Sequence, residues 1–291
     1  MPLSRLFTAS TTFEAIGTSW TIDTQQPLPA ATRAAIDVRV DAFDRTYSRF
    51  RDDSLVARIA RSTGVFPFPD DAGALFDLYR QLYEATDGAV TPLVGRALEN
   101  LGYDRAYSLR QLEAARPVPA WDDAFAWDGS SLSSVRPVVV DVGAAGKGYL
   151  VDLVAALLRD AGISEYTVDA SGDMAHSGPD VLRVGLEHPL DPSKAIGVVE
   201  LRDQALCASA INRRSWGNDL HHVIDAATGL PTRNVIATWA IAPTALLADG
   251  LATALFFAGE DRLGGFDFQF VRMFSNGRVE TSARFDGELF L

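Results

Sequence analysis

A carboxylate, a lysine and five small residues fall together in Asp141-Val142-Gly143-Ala144-Ala145-Gly146-Lys147-Gly148. Small residues let a ligand reach the backbone, and a helix that starts from such a turn offers free N–H groups to an anion. Lys147 adds positive charge. The spacing matches neither the dinucleotide fingerprint nor the P-loop, and a close-packed strand–helix turn accounts for the same residues equally well. Farther on, residues 245–257 are apolar on nearly every face except at Asp249 and Thr253. These two are four apart, hence on one helix face. A buried carboxylate needs a partner. With a hydroxyl beside it, a hard cation such as Mg²⁺ suits it, because that ion takes oxygen ligands; a hydrogen bond to a neighbouring loop is the alternative.

His221 and His222 are half of the chain's four histidines and lead into a turn at Thr228-Gly229-Leu230-Pro231. Strand alternation puts them on opposite faces, so one of them can face a given pocket. A histidine near a phosphate and a metal is a proton acceptor; a polar pair at a strand edge is the competing reading. Val168-Asp169-Ala170-Ser171-Gly172-Asp173 carries two carboxylates at a strand-end turn, which by itself is ordinary turn chemistry. Cys207, the single cysteine, sits in an apolar run and reads as a small core residue.

Elements must bring these stretches together. Residues 13–23 read as a strand broken at Gly17. A helix follows Pro29, with Ile36, Val40, Phe43, Tyr47 and Phe50 on one face. A second follows Asp71, with Leu75, Leu78, Leu82 and Ala85 in a stripe and a stop at Asp87-Gly88. Residues 92–101 form a third, short helix. Val138-Val139-Val140 reads as a buried strand, residues 149–161 as a helix closed by Gly162, and residues 165–169 as the next strand. Further strands are expected over 182–186, 196–201, 221–225 and 236–242, then a helix over 245–258. Phe125 to Gly129 turns a small hairpin, and Asn276-Gly277 a terminal one. Helices and many strands without steady alternation indicate an α+β fold. One domain spans 1–291, with two subdomains meeting near 115–137, a stretch rich in Ala, Pro, Ser and Asp.

The 291 residues are 47% hydrophobic and 22% charged, which fits a globular chain rather than a disordered or fibrous one. The net charge of -12 argues against nucleic acid as a partner. One cysteine excludes an intrachain disulfide and a cysteine-only metal cluster. No apolar run approaches the ~18 residues of a membrane span. Residues 1–19 carry one Arg and no sustained apolar run, so no secretory signal is expected.

Taken in order, these stretches resemble the ApbE-type FAD:protein FMN transferases. A Met-Gly-Thr strand in that family is Ile16-Gly17-Thr18 here. Ser-Thr-Tyr-x-x-x-Ser followed by Arg is Ser48-Arg49-Phe50 through Ser54, then Arg58. Gly-Ala-Phe-Asp-Pro is Gly88-Ala89-Val90-Thr91-Pro92. Asp-Leu-Gly-Gly-Ile-Ala-Lys-Gly-Tyr is Asp141 to Tyr149, Gly-Gly-Asp is Ser171-Gly172-Asp173, His-Ile-Ile-Asp-Pro-x-Thr-Gly-x-Pro is His222 to Pro231, and Asp-Ala-x-Ala-Thr-Ala is Asp249 to Ala254. Ile16, Thr91, Ser171 and Ala226 depart from the pattern.

The resemblance implies a mixed-sheet core related to the T-fold, with flanking helices and a ligand site between two halves. It implies Mg²⁺ held by Asp249, Thr253 and the carbonyl of Ala144. FAD contacts would come from Ile16, Phe50, Ala89, Val90, Thr91, Asp141, Lys147 and Ile224, with His222 as the base. The implied reaction moves the FMN part of FAD to a Thr or Ser hydroxyl of an acceptor flavoprotein and releases AMP. Hydrolysis of FAD to FMN and AMP, or flavin binding without turnover, are the alternatives. Lacking the lipobox cysteine of the family's exported lipoproteins near its start, the chain is expected in the cytoplasm.

Overall fold

The computed structural model describes residues 7–217 and 220–290. The reading of residues 1–19 therefore falls partly outside the described residues. Eight strands form the principal sheet: Ala9–Ala15 (β1), Thr18–Thr24 (β2), Tyr166–Asp169 (β3), Asp173–Ser177 (β4), Ala205–Ala210 (β5), Val235–Ala242 (β6), Gln269–Phe274 (β7) and Val279–Thr281 (β8), adjacent in the order β1-β2-β3-β4-β5-β6-β7-β8. Every neighbouring pair runs antiparallel. The fold is thus mixed in combining helix with sheet, not in strand direction.

The expected broken strand at the start is a hairpin. Ala15 pairs with Thr18, and Ile16 and Gly17 turn the corner at φ 46° and 78°. Both central residues of such a turn are left-handed, matching the twist of the flanking strands. Gly17 accepts this freely, whereas β-branched Ile16 is held there against its preference. At the other end, β7 and β8 close around Gly277 at φ 85°.

Strand β6 is buried along its whole length. Trp239 and Ile241 point into one apolar cluster, with Leu182, Val199 and Leu201 from a separate three-stranded sheet. Ala240 and Ala242 point into the larger cluster that holds the helices. Small residues on that face let helices approach closely. Cys207 is fully buried on β5, as its apolar run suggests.

Four helices matter for the site: Ala30–Tyr47 (α1), Gly73–Ala85 (α2), Gly146–Asp160 (α3) and Ala245–Ala254 (α4). The stripe expected to reach Phe50 stops at Tyr47, because the chain leaves the helix at Ser48. Ser54 ties the departing loop down by donating to the Ser48 carbonyl at 2.6 Å. Helix α3 starts three residues before the sequence reading and ends at Asp160, with Gly162 turning the chain away just beyond it at φ 78°. Asp152 of α3 accepts from the first amides of α4, Ala245 N at 2.9 Å and Leu246 N at 2.8 Å. A Cβ on Gly148 would lie 2.1 Å from the Ala245 carbonyl oxygen and 2.7 Å from Asp249 Cβ. Glycine at 148 is what lets the two helices touch.

Val138-Val139-Val140 is buried, yet it joins no sheet. Its backbone meets short helices instead: Val138 N donates at 3.3 Å to the carbonyl of Ile59, the last residue of the helix Leu55–Ile59, and the next residue on, Asp141, donates from N at 2.8 Å to Pro92 O at the start of a 3₁₀ helix. Burial, not pairing, explains its β-branched composition. The larger apolar cluster draws on both sides of residues 115–137 and includes Trp121, Ala124 and Phe125 from within them.

Candidate active site

A cavity of about 910 Å³ opens beside the N-terminus of α3, a size typical of small-ligand sites. All twelve residues singled out in the sequence line it. Ile16 stands at the tip of the first hairpin and Phe50 just beyond α1. Ala89, Val90 and Thr91 precede the short 3₁₀ helix Pro92–Val94. Asp141, Ala144 and Lys147 come from the turn into α3, His222 from the bend between two short ladders, Ile224 from the second of them, and Asp249 and Thr253 from α4.

The expected strand 221–225 is instead two separate pairings. Leu220–His221 pairs with Ser215–Trp216, and Ile224–Asp225 with Leu230–Pro231. His221 fixes the break: its Nε2 donates to Thr232 O at 2.8 Å and its Nδ1 accepts from Val223 N at 3.3 Å. That assigns it the neutral tautomer and a structural role. His222 faces the cavity, with a buried Nδ1 that has no hydrogen-bond partner. Burial first, then the charge of Arg214, pushes its pKa down to about 3. The ring is therefore neutral and able to accept a proton at physiological pH.

The α3–α4 contact carries the oxygen donors. Gly148 N donates to Asp249 Oδ2 at 2.9 Å, and Thr253 Oγ1 donates to the Ala144 carbonyl at 3.3 Å. Asp249 is 7% exposed. Burial, then the nearby charge of Asp173, holds its carboxyl well above the usual range. Asp173 is buried too, and neither of its carboxylate oxygens has a hydrogen-bond partner. Lys147 serves both: its Nζ lies 3.1 Å from Asp173 Oδ2 and donates to Ala170 O at 3.0 Å. Burial opposes the lysine's charge, but Asp173 and then Asp249 outweigh it and raise its pKa. Two buried carboxylates thus face one ammonium, leaving room for further positive charge. Among the described residues no three His, Cys, Asp or Glu side chains converge as a metal cluster. The donor set is a carboxylate, a hydroxyl and a carbonyl, which fits a hard ion that keeps water or phosphate oxygens for its other positions.

Opposite this corner, Asp141 is not free to bind a ligand alone. Its Oδ2 accepts from Arg49 Nε at 2.5 Å and its Oδ1 from Gly143 N at 2.7 Å. Burial would raise its pKa, but Arg49 prevails and holds it below the usual carboxylate value. The Arg49 guanidinium lies 4.2 Å over Phe50 and 5.0 Å over Tyr103. Phe50 stacks on Tyr107 at 5.2 Å, and Tyr103 on Trp216 at 5.5 Å. Thr91, where the family pattern has Asp, accepts from Leu93 N at 3.3 Å and so caps the 3₁₀ turn. Tyr79, fully buried on α2, accepts from Ala144 N at 3.2 Å and fixes the carbonyl-bearing turn from behind.

Sequence reasoning quoted Arg49 and Asp173 in the family pattern without giving either a role, and missed Tyr79, Tyr103, Tyr107, Arg214 and Trp216. Arg49 had one signal: it occupies the position of a Thr in the family pattern. Asp173 had the Gly-Gly-Asp match, and the other five carried none.

An α+β fold holding an oxygen-donor corner, a lysine and a neutral histidine around one ligand-sized cavity defines a class of site built for a phosphate-bearing ligand. The comparisons give that class its family. The ApbE family profile matches residues 16–266, and the chain belongs to that family. It is similar to the FAD:protein FMN transferases of Klebsiella pneumoniae (strain 342), 27% identical over 85% of this chain and 77% of the relative, and of Vibrio cholerae, 28% identical over 85% and 80%. Among solved structures, the ApbE protein of Thermotoga maritima superposes with a TM-score of 0.82 at 24% identity, covering 94% of this chain and 97% of that one. The flavin transferase ApbE of Vibrio cholerae superposes with a TM-score of 0.78 at 23% identity over the same shares. These structural likenesses are likenesses of fold.

Proposed function

We propose that this protein transfers the FMN moiety of FAD to a Thr or Ser hydroxyl of an acceptor flavoprotein and releases AMP. One observation carries the reading: the oxygen corner of Asp249, Thr253 and Ala144, the cation Lys147 and His222 with its open Nδ1 all line a single cavity. Membership of a family whose curated relatives bear the name FAD:protein FMN transferase supports it.

Asp249, Thr253 and the Ala144 carbonyl are the residues that would hold Mg²⁺. When bound, the ion supplies positive charge against the pyrophosphate oxygens. It also answers the buried excess of negative charge at Asp249 and Asp173. Lys147 adds a second positive group on the same side. Phe50 and Ile224 give the cavity apolar surface for a flat ring, and Ile16 closes it at the hairpin tip. His222 Nδ1 accepts the proton of the acceptor hydroxyl. The hydroxyl oxygen bonds to the FMN-side phosphorus, the bond from that phosphorus to the bridging oxygen breaks, and AMP leaves with the electron pair. A weakly basic imidazole suffices because an incoming pyrophosphate raises the pKa that Arg214 and burial depress.

The test is incubation with FAD, Mg²⁺ and a panel of Thr-containing acceptor flavoproteins. A fluorescent acceptor band and stoichiometric AMP support the reading. AMP without any labelled acceptor makes water the nucleophile, and tight FAD binding with neither product makes the protein a carrier; either result overturns it. Among the described residues no helix is long and apolar enough to cross a membrane.

A further inference from the structure

A second cavity, about 200 Å³, shares a single wall residue with the first, Arg49. Its charged lining is Arg49, Arg61, Arg96 and Arg105 against Glu99. In a chain of net charge -12 such a concentration of guanidinium groups is unusual. Their carboxylate partners fall short. Arg96 pairs with Glu99 at 2.7 Å and Arg49 with Asp141 at 2.5 Å. Asp52 is shared: it pairs with Arg105, and its carboxylate is 3.8 Å from Arg61. Three carboxylates thus face four guanidinium groups. Arg61 and Arg105 also donate to backbone carbonyls, at Asp52 O (2.7 Å) and Arg51 O (2.6 Å), but Arg49 lacks such acceptors. The Arg49 side chain is 4% exposed, and both of its terminal nitrogens, Nη1 and Nη2, are buried without a hydrogen-bond partner.

Buried N–H groups without acceptors are costly, and a guanidinium takes an oxyanion by charge-assisted bonds. At about 30 Å³ per water, the cavity has room for one tetrahedral oxyanion and a few waters, but not for a nucleotide. We propose that this cavity binds a small free oxyanion of the phosphate type, and that its occupancy and FAD binding in the main cavity favour each other through Arg49. The coupling has a stated route. An anion that gives Arg49 its missing acceptors orders the guanidinium whose Nε holds Asp141 and whose plane covers Phe50, both walls of the main cavity. Linkage makes the effect reciprocal.

The coupling rests on FAD being the main cavity's ligand, so FAD affinity is measured first, in chloride buffer with EDTA. Inorganic phosphate then replaces chloride at constant ionic strength through the millimolar range, and FAD fluorescence quenching is followed. Phosphate should tighten FAD binding about fivefold. Arg61→Ala and Arg96→Ala, at positions whose side chains are 56% and 61% exposed, should leave the chloride-buffer affinity unchanged and abolish the gain. Phosphorus-31 line broadening of phosphate in FAD-saturated protein should likewise vanish in both variants. Phosphate that weakens FAD binding, leaves it unchanged, or acts equally on the variants overturns the inference. Failure of FAD to bind in chloride overturns the proposed function instead.

Discussion

Replacing Asp249 by Asn should move stability and activity in opposite directions. Asn keeps an acceptor for Gly148 N, so the α3–α4 contact survives; loss of charge assistance in that bond costs about 1 kcal/mol. Against this, the change removes a buried carboxylate that sits beside Asp173, and removing such charge yields about 2–4 kcal/mol. Without metal, the variant should therefore be about 1–3 kcal/mol more stable. At roughly 2 °C per kcal/mol for a chain of this size, its Tm rises by roughly 2–6 °C. The pH dependence has a definite sign. Asp249 has a folded pKa above its unfolded value of 3.8. The wild type is thus least penalised below about pH 4 and loses stability as pH rises through the folded value. The variant's advantage should be absent near pH 4 and grow toward pH 8. Saturating Mg²⁺ should reverse the order, because the ion stabilises the wild type alone and releases a proton on binding. The assays are thermal unfolding with EDTA or Mg²⁺ at several pH values and FMN transfer to an acceptor. A variant less stable than wild type in EDTA at pH 8, or one whose Tm still responds to Mg²⁺, would refute the reasoning.

His222→Gln should lower transfer about 10²–10⁴-fold while FAD affinity holds. With its pKa near 3 in the free protein, wild-type kcat/KM should show no acid limb at pH 6.5; a limb there, absent from the variant, would contradict the neutral ring described above. Arg49→Leu leaves the buried Asp141 unpaired and should cost about 3–5 kcal/mol in denaturant unfolding, much of it recovered by adding Asp141→Asn. Gly148→Ala forces a methyl against the Ala245 carbonyl and Asp249. It should lose about 1–3 kcal/mol and weaken the Mg²⁺-dependent rise in Tm, whereas Ala at exposed Gly265 should do neither.

Much of the scaffold was legible because its signals are local. The apolar run with Asp249 and Thr253 four apart folds as helix α4 with both on the cavity side. Gly162 and Gly277 close a helix and a hairpin where their conformational freedom suits. Where two states bury the same residues, pattern alone misleads. Val138-Val139-Val140 has a strand's composition, yet it joins no sheet, and Val138 N donates to the end of a short helix at Ile59. His221 and His222 were equivalent by alternation until Thr232 and Val223 claimed one of them.

The chain's own order of residues determined which groups are available: an acid and a hydroxyl on one greasy helix, a lysine after glycines, a histidine pair before a turn. Tertiary packing alone decided their states. Arg49 reaches Asp141 across 92 positions, and Asp173 meets Lys147 and Asp249 from a separate strand. A side chain's pKa and its freedom to bind depend on what surrounds it in space. Those surroundings come from strands and helices far apart along the chain, where no spacing rule operates.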